Sequence, residues 1–467
     1  MFLAATAGTT MVGGYLLRSV AAAESTQPAQ PESPSQWPEV RVAYIRPQPK
    51  YWLGWPGTAW EVSMYDKFLA TSRSQLEKFG RQVKVRVNFE PEPLYDDAAV
   101  DQFIAKIKAE KPEGLVLIPL NMSEWGRVAK IAQAGVPTIV FAGLGTCFVG
   151  TIQTLCRQPG VYVMSSTDFE LNPVRFGLKI IRANHDIRRT KIAVIAGTES
   201  KEAVLEPFGL KIRHVPRKRF PDTLATIGET PEVIAMAEEY QKKAQKVVEP
   251  SHADMINAAR NYYTALKIIK EEGCDGVTMD CLGLVKTREI PTPPCMAWCK
   301  FLDVGISAVC EADINAVMSH TLCCKLLDKP GFQQDPVPET VKNTFIGAHC
   351  VCPTKLNGYD QPGEPFILRS HAESNIGVSL QVLWREGQQV TIMQFSGPGN
   401  IILGKGKVLR NLDTPPAGGC RTSVELAIDS PADVRDTKGF HQLFIYGDHV
   451  RDFQAYAQMY GIKTEHI

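Results

Sequence analysis

From residue 39 to about 339, short runs rich in Val and Ile alternate with amphipathic stretches; beyond about 340 the helical period nearly vanishes. This switch constrains the fold more than any other feature. "EVRVAYIRP", "QVKVRVNF", "GLVLIPL", "PTIVFAG" and "GVYVMSS" read as strands, with helices expected around 61–79, 97–109 and 123–134. A second run begins near 167. It reads as helix "FGLKIIRANHDI", strand "KIAVIAG", helices at about 229–247 and 252–272, strand "GVTMDCLG", helix "CMAWCKFLDVG", strand "ISAVCEAD" and helix "INAVMSHTLCCKLLD". Apolar strands spaced by helices build βαβ units around a parallel sheet. From "TFIGAHCVC" to "HQLFIYG" the chain offers β-like runs parted by Gly, Pro and Asn turns, with one late helix at "VRDFQAYAQMYG". The expectation is an α/β protein: two Rossmann-like α/β domains (39–166 and 167–339), then a mostly antiparallel β-rich C-terminal domain (340–467).

Residues 1–38 read differently. "MFLAATAGTTMVGGYLLRSVAAAE" is apolar and small-residue-rich and ends in Ala-x-Ala, and "STQPAQPESPSQWPE" is a Pro/Ser/Gln linker. The segment is similar to the part of a twin-arginine (Tat) signal that follows the arginines, so export to the periplasm is expected, with a membrane anchor as the rival. No later stretch reaches the roughly 18 apolar residues of a spanning helix. Lys and Arg total 51 against 50 Asp and Glu, a net charge of +1. Nothing there points to nucleic acid or an acidic membrane surface, and "RHVPRKR" (213–219) reads as a solvated loop. None of the twelve cysteines forms a Cys-x-x-Cys pair, which suits buried thiols better than zinc ligation or a disulfide framework.

The strand "ISAVCEAD" runs into Glu311 and Asp313 just before a helix. Ligands bind at that edge of a parallel sheet, although Asp313 could simply cap the helix. Asp335 lies in a Pro-rich loop and could be a turn aspartate before Pro336. His349 ends an apolar run; Arg369 and His371 follow in "ILRSHAESN", and His441 in "DTKGFHQLFIYGDH". Each alone is more ordinary as structure than as chemistry. Together, two carboxylates and one or two histidines suit Mn²⁺ or Mg²⁺ better than structural zinc. Such an ion binds vicinal sugar oxygens while carboxylates move a proton between C2 and C1.

The "CEAD" and "GAHCVCP" motifs and the order of domains resemble the L-fucose isomerase/L-arabinose isomerase superfamily. The likeness in domain order covers residues 40–467 and is specific across 308–355. It implies an L-fucose isomerase-like fold and a divalent metal, Mn²⁺ first with Mg²⁺, Fe²⁺ or Zn²⁺ as alternatives. Glu311 and Asp335, 24 residues apart, would be metal ligands and the acid–base pair. His349 would be a ligand or orient substrate. His441, 92 residues beyond His349, would be the last ligand, with His371 competing; Arg369 and His371 would line the substrate pocket. By analogy, the partners are a small sugar and further copies of the chain in a trimer or hexamer. More narrowly, "NTFIGAHCVCPTKLNG" and "DTKGFHQLFIYGDH" resemble a group of secreted sugar-isomerase-like proteins. Two departures matter: aldose isomerases are ordinarily cytoplasmic, and "TMDCLG" lacks the acid that relatives carry after this cysteine.

The same residues leave other chemistries open. A related epimerase or lyase would use the same enediolate. An exported non-catalytic sugar-binding protein would rely on aromatic stacking, for which "YWLGWPGTAW" offers Trp55 and its neighbours, unless they pack as a loop or act as a substrate lid. "AVIAGTES" lacks the Lys and the glycine spacing of a nucleotide loop.

Overall fold

The computed structural model describes residues 32–48, 58–143, 145–167 and 170–467. The chain divides into two compact units, up to Arg182 and from Ala183 on, with the division inside the helix Asn172–Arg189.

In the first unit the expected alternation yields β1 (Glu39–Ile45), β2 (Arg86–Phe89), β3 (Gly114–Pro119), β4 (Thr138–Gly143) and β5 (Val161–Ser166). They form one parallel sheet in the order β2-β1-β3-β4-β5. β3 and β4 are buried along their whole length, as strands covered on both faces must be. Asp96 starts the helix Asp97–Glu110 by accepting the Ala99 amide (2.9 Å), and Val100, Phe103 and Ile107 form its buried stripe. "YWLGWPGTAW", with Trp55, lies outside the described residues up to Thr58, where the helix Thr58–Val83 begins.

The second unit holds β6 (Lys191–Ile195), β7 (Lys201–Leu205), β8 (Leu210–Val215), β9 (Lys246–Val247), β10 (Gly276–Met279) and β11 (Ala308–Cys310). β11-β10-β6-β8-β7 is a sheet whose first four strands are parallel, with β7 folded back antiparallel on β8. Three sequence expectations need correction. "RHV" of the supposed loop 213–219 belongs to β8. The helix expected to reach 247 ends at Lys243, and Lys246–Val247 pair with a later strand. "GVTMDCLG" stops being strand at Met279, because Asp280 accepts the Gly283 amide and starts a helix, Cys281–Lys286.

Next come β12 (Phe332–Glu339), β13 (Thr344–His349), β14 (Phe366–Arg369), β15 (Ser379–Val382), β16 (Gln389–Phe395), β17 (Asn400–Asn411), β18 (Thr422–Ile428), β19 (Gln442–Tyr446) and β20 (Lys463–His466). Six of them pair in a closed antiparallel circuit, β16-β19-β12-β13-β18-β17 and back to β16: a barrel, with β20 added parallel to β17. Closure removes the exposed sheet edges. Asp335 is therefore on a strand and not in a loop. β12 tolerates Pro336 and Pro338 because beyond Gln334 it pairs with β13 alone. One apolar core runs from Ile195 and Met279 of the parallel sheet through Trp298 to Phe332, Phe345 and Phe444 of the barrel.

Candidate metal and acid–base site

Four chain segments meet where β11 ends. β11 is a three-residue edge strand. Its outer side is satisfied by side chains: the Val309 carbonyl accepts from Trp298 Nε1 (2.9 Å), and the Cys310 N–H donates to Gln333 Oε1 (2.8 Å). Gln333 lies on β12, so the strand that delivers Glu311 is tied to the barrel. The expected continuation of β11 to Asp313 fails because Glu311 and Ala312 take left-handed backbone conformations, φ 63° and 54°. Non-glycine residues adopt these at a cost, and such strain gathers at functional sites. The turn lifts Glu311 off the sheet before Asp313 starts the helix Ile314–Leu327.

Barrel register brings in the rest. Asp335 pairs with Ala348, next to His349, while Gln334 pairs with Gln442, next to His441. His441 Nε2 lies 3.2 Å from Asp335 Oδ1 and 3.5 Å from Glu311 Oε2; His349 Nε2 lies 3.8 Å from Glu311 Oε1. The two imidazole rings stand 5.8 Å apart with their planes at 63°. One candidate ligand atom each from Glu311, His349 and His441 falls within 4.8 Å of the others. Glu311, Asp335, His349 and His441, four residues expected from sequence, thus converge. His441 and not His371 is the last of them.

The two histidines differ in their protons. His441 Nδ1 lies 2.8 Å from Asp313 Oδ2; a carboxylate only accepts, so Nδ1 carries a hydrogen, and it is Nε2 that would give up its proton to present a lone pair to an ion, the carboxylate–histidine arrangement of metal centres. Asp313 uses its other oxygen to accept the Ala316 amide. It is both the helix cap weighed in the sequence and a residue that orients His441, a role the sequence did not reveal. His349 is the reverse. Its Nδ1 accepts the Val351 N–H (3.3 Å), so the neutral ring bears its proton on Nε2. That suits a donor to a substrate oxygen better than a metal ligand. Both Nε2 atoms are buried without a hydrogen-bond partner.

The field favours positive charge. Burial opposes protonation of His441, but the hydrogen bond to Asp313 and the nearby carboxylates of Asp335 and Glu311 outweigh it and lift its pKa to about 9. A cation at Nε2 would meet the same carboxylates. The donor set, one imidazole lone pair with Glu311 and Asp335 oxygens, fits a hard divalent ion.

Arg369 and His371 have other partners. Arg369 is spent on structure: it grips Glu249 (2.7–3.0 Å), Gln381 Oε1 and the Thr414 carbonyl. His371 bonds the Ser374 hydroxyl through Nδ1 (2.9 Å); burial opposes its protonation, but its bond to Cys350 outweighs this and raises its pKa. All twelve cysteines are free thiols. Among the described residues no helix is long and apolar enough to cross a membrane.

No protein-family model and no curated protein matches the sequence. Among solved structures, an ABC-transporter solute-binding protein from Burkholderia multivorans, with an unknown ligand represented as alpha-D-erythrofuranose, is 11% identical at a TM-score of 0.19; the match covers 54% of this chain and 85% of that one. A solute-binding protein from Agrobacterium vitis bound with alpha-D-tagatopyranose is 12% identical at 0.17, covering 53% and 78%. Overlaps this small identify neither a shared fold nor a shared ligand.

Proposed function

We propose that this protein is an exported, metal-dependent enzyme of the sugar-isomerase type, acting on a small sugar or sugar derivative. The observation that carries the reading is the convergence of Glu311, Asp335, His441 and His349 from separate segments onto one strained turn, with both Nε2 atoms buried and unpartnered. Glu311, Asp335 and the His441 lone pair would hold the ion, Asp313 fixing the His441 tautomer. When bound, a divalent ion polarises vicinal sugar oxygens. Glu311 and Asp335 supply the acid–base pair. One takes the proton from C2 of an aldose and the proton is returned to C1, while the O2 proton passes to O1. Aldose and ketose then interconvert through a cis-enediol with nothing gained or lost. The His349 Nε2–H is placed to donate to a substrate oxygen. Resemblance to the L-fucose isomerase/L-arabinose isomerase superfamily supports the same assignment, as well as a trimer or hexamer.

The second reading is sugar capture without turnover. It makes no use of paired carboxylates. Metal content by mass spectrometry and a broad aldose/ketose conversion screen separate the two. The enzyme reading expects about one ion per chain in the wild type, loss of that ion in a folded Glu311→Ala/Asp335→Ala variant, and no turnover in Glu311→Gln. Sugar binding with full metal and no conversion of any sugar favours capture. Absence of metal in every form after Mn²⁺ is supplied overturns the site.

A further inference from the structure

Beside the cluster stands an aromatic side chain that the acid–base chemistry does not use. Phe440 is 56% exposed. Its ring lies on that of His441, with centroids 4.3 Å apart and planes tilted by 32°. The backbone beneath it is built, not loose. The carboxamide of Gln394 accepts the Phe440 N–H at 3.0 Å and donates to the Phe440 carbonyl; Gln442 Nε2 donates to the Lys438 carbonyl. Gln394 and Gln442 are themselves buried, at 5% and 0% exposure. Gly439 is obligatory: its φ is 95°, and a Cβ there would sit 2.1 Å from Gln394 Oε1. His441 completes the clamp in a left-handed conformation, φ 57°. Two buried amides, one glycine and one strained histidine thus hold an exposed phenyl ring in a fixed place beside the His441 imidazole.

Packing does not require this, because the ring's outer surface is open. A sugar held by its first two oxygens near His441 Nε2 extends the rest of its carbon chain outward. The C–H groups of such a chain form an apolar face, and an aromatic ring complements it as it would any C–H surface. We propose that Phe440 is a substrate-binding platform, stacking against the C–H face of a sugar of five or six carbons and selecting for chain length. The inference rests on the sugar reading above and adds the determinant of substrate length.

The test is titration calorimetry of the full-length, Mn²⁺-loaded protein and of Phe440→Ala and Phe440→Trp. The probes are L-fucose and D-tagatose, which are long enough to reach the ring, and glycolate, which is not. Mn²⁺ affinity and oligomeric state are measured for each variant. Stacking predicts that Phe440→Ala weakens both sugars about three- to tenfold. It also predicts that Phe440→Trp keeps or improves their affinity, and that glycolate, Mn²⁺ affinity and assembly stay unchanged. Equal sugar affinity in wild type and Phe440→Ala overturns the platform and leaves the sugar reading intact. Loss of Mn²⁺ or glycolate binding in proportion to sugar binding makes Phe440 a packing support for His441 and also overturns it. A change of oligomeric state in Phe440→Ala assigns the ring to a subunit contact, again against the proposal. Failure of the loaded wild type to bind either sugar overturns the sugar reading, and the platform with it.

Discussion

The sharpest test of the site is Asp313→Asn, because it changes one atom and poses a choice the folded chain cannot escape. Asp313 has two oxygens with two clients: Oδ1 accepts the Ala316 amide and Oδ2 accepts His441 Nδ1–H. Asparagine has one oxygen. If it caps the helix, for which Asn serves as well as Asp, its NH₂ faces His441 Nδ1. The imidazole must then turn into the other tautomer, with its proton on Nε2, where the metal should be. If the oxygen stays on His441, the cap is lost at about 1 kcal/mol. Losing an outer-shell partner of a ligating histidine typically costs about 10- to 100-fold in metal affinity, or roughly 1.4–2.7 kcal/mol. Asp313→Asn should therefore weaken Mn²⁺ by about that factor, while its urea midpoint without metal stays within the reach of one cap. Competition titration against a chelator, followed by Mn²⁺ paramagnetic resonance, measures the first quantity; urea unfolding in the chelator measures the second. Unchanged Mn²⁺ affinity in a folded Asp313→Asn protein would refute the tautomer argument and leave Asp313 as a cap.

Three further outcomes follow from other features. Gly439→Ala should cost about 2–4 kcal/mol, from a Cβ driven into Gln394 and an unfavourable backbone, and should lower metal affinity by displacing His441; an unchanged melting temperature would count against the clamp. Ala312→Gly should be neutral or stabilising by less than about 1 kcal/mol, since relief at φ 54° is partly offset by the added freedom of the unfolded chain; clear destabilisation in urea would show the turn is not strained. Burial pushes the pKa of His320 down to about 3 from the usual 6.5, so between those pH values the unfolded chain holds the extra proton. Stability is full above about 6.5 and falls as pH drops, by up to about 1.4 kcal/mol per pH unit for this group. His320→Leu should flatten that dependence between pH 7 and 5; identical slopes would refute it.

The fold was legible where burial imposes a period. "GLVLIPL" and "PTIVFAG" could hardly be anything but covered strands, and β3 and β4 are. β7 was invisible for the opposite reason: Lys201–Leu205 is an exposed outer strand with no apolar face to print a pattern. β12 was mistaken for loop because its two prolines suppress the strand signal, and only the open flank beyond Gln334 accommodates them. At the site, Glu311 stands out as an acid ending an apolar run, while Asp335 is picked out only by the family resemblance. What could not be read was pairing at a distance. Nothing local in "CEAD" says that Asp313 serves His441. Nothing in "ILRSH" says that Arg369 pairs with Glu249. The glutamines that clamp Phe440 look, one by one, like any polar residue on a strand.

The bond from Asp313 to His441 joins positions 128 residues apart, and nearly the whole barrel lies between them. Closing so long a loop early in folding gains little against its entropy, so this pocket belongs among the last parts of the unit to assemble. A chain that has not yet docked β19 holds no site at all, however well its parallel sheet has formed. Any ion or sugar that binds there acts as a reversible clasp across that loop and stabilises the finished protein by mass action. The ligand's presence in a refolding experiment would then report completion of the barrel, not of the sheet.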